Sequence, residues 1–351
     1  MKSRLLEMRM NGLDTDLFEP FKDKRVLVTG ATGLIGSLVC KALLIANDEL
    51  GVNCKVLAVV RDRHKVDGAL GAYVSLDGLE LLECDLATSS VDVEGVDYIL
   101  HAASITKSKL MVEKPIDVIK MSLRSTWGML DLAHANRARM VYVSSMEIYG
   151  TLKEGEIADE GALGWIDLSS PRSCYPESKR MCECLCNSYA AQRGTHVCSA
   201  RLAQTFGVGV LPGETRAFAQ FARAAMLGKD VVLRTRGLSE GNYVDSIDCV
   251  AALLTLLAHG EMGQAYNVVN EESHAVIHEV AQLAVDVLGD GSTEVVIRPD
   301  EKNLSGYAPD VHLRLSSSRL RDLGWSAKSS LKESFKSLGE YMAEQHLVRE
   351  A

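Results

Sequence analysis

A glycine-rich turn near the start of the chain restricts the possible folds more than any other feature. The stretch VTGATGLIGS (28–37) follows the apolar run RVLVT (25–29) and opens a helical pattern, with Gly30, Gly33 and Gly36 at the junction. Glycines there let the backbone turn sharply and approach a pyrophosphate, whose charge then lies at the helix N-terminus. A packing turn without a ligand is the alternative, and the strand, turn and helix context argues against it. The turn therefore predicts an α/β fold that binds a dinucleotide.

Apolar runs of strand length alternate with amphipathic runs of helical length up to about residue 205, the rhythm of a parallel sheet with crossover helices. Predicted strands lie at 25–29, 55–60, 79–84, 96–103, 139–145, 196–202 and 265–269, and predicted helices at 34–46, 116–136, 176–193, 246–259 and 274–288. We predict a Rossmann-like, doubly wound parallel sheet with a smaller C-terminal α/β domain. Its parts are an N-terminal extension (1–24), a dinucleotide-binding domain with the catalytic residues (25–205) and a mainly substrate-binding domain (206–351), with some chain exchange between the last two.

Composition excludes several classes of function. The 351 residues are 47% hydrophobic and 24% charged, enough for a sizeable core. A net charge of −9 provides no basic field for nucleic acid or an anionic membrane. Scattered charges in residues 1–24 argue against a signal peptide or membrane anchor. Nine irregularly spaced cysteines fit reduced thiols, so we expect a cytoplasmic protein.

The residues after the second strand bear on the choice of cofactor. A carboxylate at this point accepts from the ribose 2′-hydroxyl of NAD, whereas an arginine accommodates the 2′-phosphate of NADP. Arg61 occupies the position here, followed by Asp62 and Arg63. Arg61 tilts the prediction toward NADP, Asp62 leaves NAD open, and a solvated run of charges is the alternative. We therefore predict NAD or NADP as the cofactor.

The stretch YPESK (175–179) supplies a candidate acid/base. Tyr175 and Lys179 lie four positions apart at the start of a predicted helix and hence on one face. A tyrosine hydroxyl, with an ordinary pKa of about 10, is a poor base at neutral pH unless nearby positive charge favours the phenolate. The Lys179 ammonium and a positive nicotinamide ring would provide that charge, and a serine hydroxyl would orient the substrate oxygen.

Together with SSMEIYG (144–150), these motifs resemble the extended short-chain dehydrogenase/reductases of the NAD-dependent epimerase/dehydratase family, which remodel nucleotide-sugars. The resemblance runs from about Arg25 to about Trp325. It implies that Ser145 is the catalytic hydroxyl and that Tyr175 takes a proton while the nicotinamide removes hydride from a sugar carbinol. It also implies a homodimer built from paired helices.

The same resemblance implies the remaining site residues. Those expected at the cofactor follow the first four strands or belong to the catalytic helix: Gly30, Thr32, Gly33, Leu34, Ile35, Gly36, Arg61, Asp85, Leu86, Ala102, Ala103, Ser104, Tyr175 and Lys179. Those expected at the substrate are Thr106, Met146, Gln204, Arg216 and Arg298. An arginine common in the family is replaced by Gly241; Arg216 or Arg298 could compensate, or could be solvated charges. No metal site is predicted, because the cysteines of MCECLC (181–186) cannot converge from one helix.

Glu147 and Met146 separate the reactions that such a chain could perform. The dehydratases and decarboxylases of the family typically carry glutamate at the position of Glu147, where it can remove a proton acidified by a transient 4-keto group. A capping or exposed turn carboxylate is the alternative. Met146 replaces the aspartate that protonates a departing 6-hydroxyl, and a thioether cannot donate a proton. A standard dehydratase is therefore disfavoured, while an epimerase acting through an enolate, or a dehydratase with another acid, stays open.

The predicted function is a redox-neutral, NAD(P)-dependent nucleotide-sugar epimerase or dehydratase. Ser145, Tyr175 and Lys179 handle the hydride chemistry, and Glu147 acts as the carbon acid/base. A net NADPH-dependent reductase of the same fold is one alternative, suggested by Arg61. A non-catalytic nucleotide sensor is another, although a sensor has no need of the intact Ser-Tyr-Lys set.

Overall fold

The computed structural model describes residues 2–153, 155–299 and 311–348. The strands, numbered in chain order, are β1 (Arg25–Thr29), β2 (Lys55–Val60), β3 (Leu79–Glu83), β4 (Tyr98–His101), β5 (Arg139–Ser145), β6 (Ile157–Ala158), β7 (Val197–Leu202), β8 (Gln204–Phe206), β9 (Val231–Leu233), β10 (Glu240–Asp245), β11 (Ala265–Val268), β12 (Asn270–Val276), β13 (Val295–Ile297) and β14 (Arg314–Leu315).

The helices are α1 (Arg4–Asn11), α2 (Leu34–Leu50), α3 (Val66–Ala69), α4 (Ser108–Glu113), α5 (Pro115–Asn136), α6 (Cys174–Arg193), α7 (Ala217–Met226), α8 (Ser246–His259), α9 (Ile277–Leu288), α10 (Ser318–Arg321) and α11 (Leu331–Glu344). Two short 3-10 helices, Met146–Tyr149 and Pro171–Ser173, precede α6. None of the described helices is both long enough and apolar enough to cross a bilayer.

Seven parallel strands form the main sheet in the order β11-β7-β5-β4-β1-β2-β3. The predicted doubly wound fold is therefore confirmed. The direction of winding reverses between β1 and β4, which opens a crevice at the carboxyl ends of these two strands. Such a switch point is where open α/β sheets bind their ligands.

Alternate residues of the central strands enter two separate cores. Val26 and Val28 of β1 pack on one face with Leu38 of α2, while Leu27 between them packs on the other face with Met129 of α5. A strand buried on both faces needs a continuous apolar run, which is why RVLVT is recognisable in the sequence. The two layers of helices fix the strand ends, and with them the residues that follow each strand.

The chain beyond residue 205 contributes to both the main sheet and smaller ones. β12, β10 and β8 form a three-stranded sheet, and β13-β9 and β14-β6 form two pairs. β11 returns to the main sheet beside β7. The helix predicted from residue 274 begins at Ile277, because residues 270–276 pair with β10 as β12. The predicted division of the chain into two domains at residue 205 stays a prediction.

Residues 2–24 pack against the body of the protein through α1. Ser3 Oγ donates to the Glu344 carboxylate at 2.5 Å, which ties the start of α1 to the end of α11. Arg9 donates to the buried Asp245 carboxylate at 3.0 Å and to Ser329 Oγ at 2.9 Å. The N-terminal segment is thus joined to both β10 and the C-terminal region.

Candidate active site

The glycine turn joins β1 to α2 at the crevice. Gly30 has a φ of +67°, a left-handed conformation that glycine adopts at little cost. A Cβ on Gly30 would lie 2.8 Å from the Ala103 nitrogen, and a Cβ on Gly36 would overlap the Gly30 carbonyl. Both positions require glycine because backbone packs directly on backbone there.

The first turn of α2 presents unpaired backbone donors at this crevice. Gly33 is the N-cap and supplies no side chain, and the first intrahelical bond runs from Ser37 N to Gly33 O. The N–H groups of residues 34–36 precede that bond and so have no carbonyl partner within the helix. With the positive end of the helix dipole, these donors fit a diphosphate. Thr32 lies half-buried in the same turn.

Residues 102–104 follow β4 along the same crevice. Ala103 N donates to Thr29 Oγ1 at 3.1 Å, which holds this segment against the end of β1. The Ser104 hydroxyl is buried and has no hydrogen-bond partner among the described residues. An unsatisfied buried hydroxyl costs about 1–3 kcal/mol, which a polar ligand would offset. The glycine turn, the free helix donors and this hydroxyl together fit a nicotinamide dinucleotide.

The carboxyl ends of β2 and β3 border the crevice on its other side. The Asp62 carboxylate accepts from the backbone N–H two residues on at 3.0 Å, and so caps its own turn. The neighbouring Arg61 is exposed. After β3, the Asp85 carboxylate likewise accepts from the N–H two residues on at 3.0 Å, and Leu86 is buried. These residues thus follow the carboxyl ends of β2 and β3, and their contact with a cofactor stays a prediction.

His101, at the end of β4, is buried and neutral. Its Nδ1 lies 2.7 Å from Thr29 Oγ1, and its Nε2 lies 3.3 Å from the hydroxyls of both Ser125 and Thr126. Burial, with a smaller effect from the Lys179 charge, lowers the pKa of His101 to about 3. Thr29 Oγ1 already accepts a backbone N–H, so its hydrogen can bond Nδ1, which assigns the ring hydrogen to Nε2. His101 therefore braces β1, β4 and α5.

β5 and α6 bring Ser145 and Tyr175 together. Ser145 ends β5 and caps the 3-10 helix Met146–Tyr149, its Oγ accepting from Glu147 N at 3.2 Å. Tyr175 is buried in the first turn of α6, with its phenol in hydrogen-bonding reach of the Ser145 hydroxyl. Burial raises the pKa of Tyr175, the Glu147 carboxylate raises it further, and the Ser145 hydrogen bond lowers it.

Lys179 lies one turn along α6 from Tyr175 and is also buried. Its Nζ donates to the Val143 carbonyl at 2.7 Å. The same atom lies 4.8 Å from the ring centroid of Tyr142 and 5.8 Å from that of Tyr175. Burial lowers the pKa of Lys179 to about 8. Lys179 thus places a basic group beside the Tyr175 ring.

Glu147 is held in a two-pronged ion pair with Arg172 of the 3-10 helix Pro171–Ser173. Arg172 Nη1 donates to Oε2 at 2.7 Å and Nη2 donates to Oε1 at 3.1 Å. Burial lowers the pKa of Arg172, and the bonds and charge of Glu147 more than restore it. Arg172 Nε is buried without a hydrogen-bond partner among the described residues. Glu147 is therefore an organised carboxylate beside Tyr175.

Sequence reasoning missed Arg172. The available signal was a cation three positions before Tyr175, in the turn that leads into the catalytic helix. A single charged residue in a polar loop is ordinarily a solvated one. Only the folded chain shows that this side chain is mostly buried, at 16% exposure, and paired with Glu147.

Two of the residues predicted at the substrate lie near this cluster. Met146 follows Ser145 directly and is partly buried. Arg216 is the N-cap of α7, and its guanidinium donates to the Glu214 carboxylate at 2.8 Å. Its charge lowers the pKa of Tyr175, which places it within electrostatic reach of the phenol.

The other predicted substrate contacts lie on the surface. Thr106 precedes α4 and Gln204 begins β8, both exposed. Arg298 follows β13 and is also exposed, with no described contact to the catalytic cluster; Asp300 of the same turn lies outside the described residues. A Cβ on Gly241 would make an ordinary contact, 3.8 Å from the Leu313 carbonyl oxygen, so packing there does not demand glycine.

The cysteines of α6 divide between its two faces. Cys182 and Cys186 are buried, and Cys184 is exposed. Within residues 2–153, 155–299 and 311–348, no three side chains of His, Cys, Asp or Glu are grouped so as to hold a metal ion.

Comparison with known proteins places these features in a family. The family model described as "Epimerase: NAD dependent epimerase/dehydratase family" matches residues 26–270. UDP-glucuronic acid decarboxylase 1 of Danio rerio is 26% identical over 92% of this chain and 73% of that protein. dTDP-D-glucose 4,6-dehydratase of Mus musculus is 25% identical over 91% of this chain and 88% of that protein.

A solved structure shows the same fold. UDP-glucuronic acid 4-epimerase from Bacillus cereus, in complex with UDP-glucuronic acid and NAD, superposes with a TM-score of 0.76 at 19% identity, covering 92% of this chain and 99% of that one. The family model alone spans well over half of the 351 residues. The chain therefore belongs to the NAD-dependent epimerase/dehydratase family of extended short-chain dehydrogenase/reductases and is an enzyme of that nucleotide-sugar-modifying class.

Proposed function

We propose that the chain oxidises a hydroxyl of a nucleotide-sugar to a transient ketone, remodels the neighbouring carbon and reduces the ketone again. The observation that carries this proposal is the convergence of Ser145, Tyr175 and Lys179 with an organised carboxylate, Glu147, at the ends of β5 and α6. The glycine turn opens on the same crevice.

The hydroxyl chemistry falls to three side chains. Ser145 orients the sugar oxygen, and Tyr175 takes its proton as the ketone forms and gives it back as the ketone is reduced. Because Tyr175 is buried, its phenolate needs positive charge nearby. Lys179 Nζ lies 5.8 Å from the centroid of the Tyr175 ring, and the charges of Arg172 and Arg216 lower the Tyr175 pKa. A bound nicotinamide would supply the redox chemistry, accepting hydride from the carbinol carbon and returning it.

The carbon chemistry falls to Glu147. The proton on the carbon next to the ketone is acidified, and a carboxylate beside the ring can remove it to leave an enolate, which takes up a proton again before the ketone is reduced. Met146 offers no proton to a departing hydroxyl, so among these routes the structure favours epimerisation through an enolate over loss of water.

A second candidate is the loss of carbon dioxide from a nucleotide-linked hexuronic acid. In that reaction the bond to the carboxyl carbon breaks, its electron pair enters the enolate of the ketone, and the ring carbon takes a proton before the ketone is reduced. Arg172 favours this candidate, because a mostly buried guanidinium with an unpartnered Nε suits a substrate carboxylate. The names of the similar decarboxylase and of the hexuronic acid epimerase agree with an acidic sugar.

The residues beyond position 205 supply, in this proposal, most of the substrate-binding part of the protein. Arg216 is the phosphate-binding candidate best supported by position, since its charge reaches Tyr175. Gln204 and Thr106 offer polar groups at the rim. Arg298 is exposed after β13 and stays the other candidate for that contact.

The cofactor preference rests on the end of β2. Arg61 is exposed there, and the Asp62 carboxylate caps its own turn. Both facts support acceptance of NADP, although the hexuronic acid epimerase of similar fold carries NAD. The ratio of dissociation constants for the two dinucleotides tests the preference, and Arg61→Asp is expected to move it toward NAD.

A second copy of this chain is the partner that we propose for the outer face of α5 and α6. This face carries the exposed apolar side chains Ile119, Trp127 and Met181, exposed by 40%, 56% and 56%. Large apolar side chains exposed on two helices that pack on each other support an interaction surface there. We place the protein in the cytoplasm, which agrees with nine free cysteines.

Incubation with a panel of nucleotide-sugars in deuterated water tests the proposal. We expect product without net oxidation of added cofactor, solvent deuterium at the carbon next to the transient ketone, and loss of that deuterium in Glu147→Gln. Release of carbon dioxide from a hexuronic acid would select the second candidate. Stoichiometric NADPH oxidation would instead identify a reductase, and ligand binding without turnover of any panel member would identify a sensor.

A further inference from the structure

Arg172 contacts one acid/base group of the site, Glu147, and its charge acts on the other, Tyr175. We propose that Arg172 is a positioning residue that clamps Glu147 beside the sugar and cancels the charge of that carboxylate at the Tyr175 hydroxyl. The inference rests on the proposed function, because the separate roles of Glu147 and Tyr175 give the clamp its purpose. With one cation in place, Glu147 can remove a carbon-bound proton and Tyr175 a hydroxyl proton although the two groups are neighbours.

The clamp follows from the geometry of the pair. Two N–H donors of Arg172 meet the two oxygens of Glu147 at 2.7 and 3.1 Å, so the carboxylate cannot rotate about its last bond without losing one of them. The Glu147 backbone is held as well, through the bond from its N–H to Ser145 Oγ. Arg172 lies in the 3-10 helix Pro171–Ser173, which runs directly into α6. Its position relative to Tyr175 is therefore fixed by the backbone.

The electrostatic part follows from the charges that face Tyr175. Glu147 raises the pKa of the phenol, whereas Arg172 lowers it. The other titratable or charged groups facing Tyr175 come from β5, from its own helix and from the start of α7: Tyr142, Cys174, Lys179 and Arg216. A single charge within about 4–6 Å of a titrating group shifts its pKa by about 1–3 units. Removal of Arg172 would leave an uncompensated carboxylate beside a group that must become an anion.

The test measures the ionisation of Tyr175 without any need for turnover. The full chain is prepared with NAD bound and with 3,5-difluorotyrosine, a more acidic analogue, at position 175, and the ¹⁹F chemical shift is followed against pH. Arg172→Gln is expected to raise the apparent pKa of that residue by roughly one unit, a tenfold loss of phenolate at a given pH. Arg172→Lys keeps the charge and is expected to leave it near the parent value. Arg193→Gln, at the far end of α6, removes an equal charge as a control.

The double variant Glu147→Gln with Arg172→Gln identifies the carboxylate as the source of the effect. The apparent pKa is expected to return toward the parent value in this variant. In turnover, Arg172→Lys is expected to keep the pH profile but to lower deuterium incorporation next to the ketone, because one prong of the clamp is lost. An unchanged ¹⁹F titration in Arg172→Gln would overturn the proposal. Since that titration needs no substrate, failure to find a nucleotide-sugar substrate would count against the proposed function alone.

Discussion

Replacement of Lys179 by Met is expected to change how the stability of the protein depends on pH. Lys179 is 3% exposed, and burial lowers its pKa from 10.5 to about 8. Below pH 8 the folded protein holds a buried charge that the unfolded chain holds in water. Between about pH 8 and 10.4 the folded state has released this proton and the unfolded state has not, so raising the pH favours folding. Across this window the free energy of unfolding rises by roughly 3 kcal/mol in total, at about 1.4 kcal/mol per pH unit.

Urea denaturation of the parent protein and of Lys179→Met, followed from pH 7 to 10.5, measures this effect. Groups that do not interact with Lys179 titrate equally in both proteins and cancel in the difference between their free energies of unfolding. The free energy of unfolding of the parent is expected to rise steadily, relative to that of the variant, through this window. Below pH 8 the variant is expected to be the more stable protein, because it buries no charge at this position. The loss of the hydrogen bond to the Val143 carbonyl reduces this advantage by about 1 kcal/mol. A difference that stays constant with pH would refute the reasoning.

Three further predictions concern the turn, the core and the surface. Gly36→Val is expected to abolish dinucleotide binding in calorimetry, because a Cβ there overlaps the Gly30 carbonyl, while Gly128→Ala, in open space on α5, binds normally; retained affinity in Gly36→Val would contradict the assignment of the turn. Glu183→Leu leaves the buried Arg201 without the carboxylate that it contacts at 2.8 Å, and is expected to lower the free energy of unfolding by about 3–5 kcal/mol. Adding Arg201→Met is expected to recover most of this loss, whereas a loss below about 1 kcal/mol in Glu183→Leu would show that the pair is not desolvated. Trp127→Glu is expected to convert the proposed dimer to a monomer in light scattering, whereas Met8→Glu, on α1, which packs with α2 on the other side of the sheet, leaves the mass unchanged; equal masses for both variants would exclude the α5/α6 face.

The sequence predicted the main sheet and the glycine turn because both depend on local patterns. A buried parallel strand such as RVLVT is a continuous apolar run. A glycine is needed where backbone packs directly on backbone, as it does at Gly30 and Gly36. Short motifs predict Ser145, Glu147, Tyr175 and Lys179 as site residues, and the structure places these four side chains near one another.

The features that escaped prediction depend on contacts across the fold. In the sequence, Arg172 has the pattern of a solvated charge in a loop. Its contact with Glu147 forms only because the 3-10 helix before α6 lies against the 3-10 helix after β5. The braces around His101 join residues from β1, β4 and α5, which no local pattern connects. The start of α9 was misjudged for the same reason, because residues 270–276 pair with β10 instead of continuing the helix.

The fate of a hydrogen isotope tests the redox-neutral cycle most directly. A nucleotide-sugar labelled with deuterium on the carbinol carbon is converted with a cofactor concentration far below that of the substrate. Hydride that leaves this carbon and returns to the same sugar leaves the label in the product, with no accumulation of reduced cofactor. We predict full retention in the parent protein and no conversion in Tyr175→Phe. Product that has lost the label, or conversion that stops once the added cofactor is consumed, would contradict the proposed cycle.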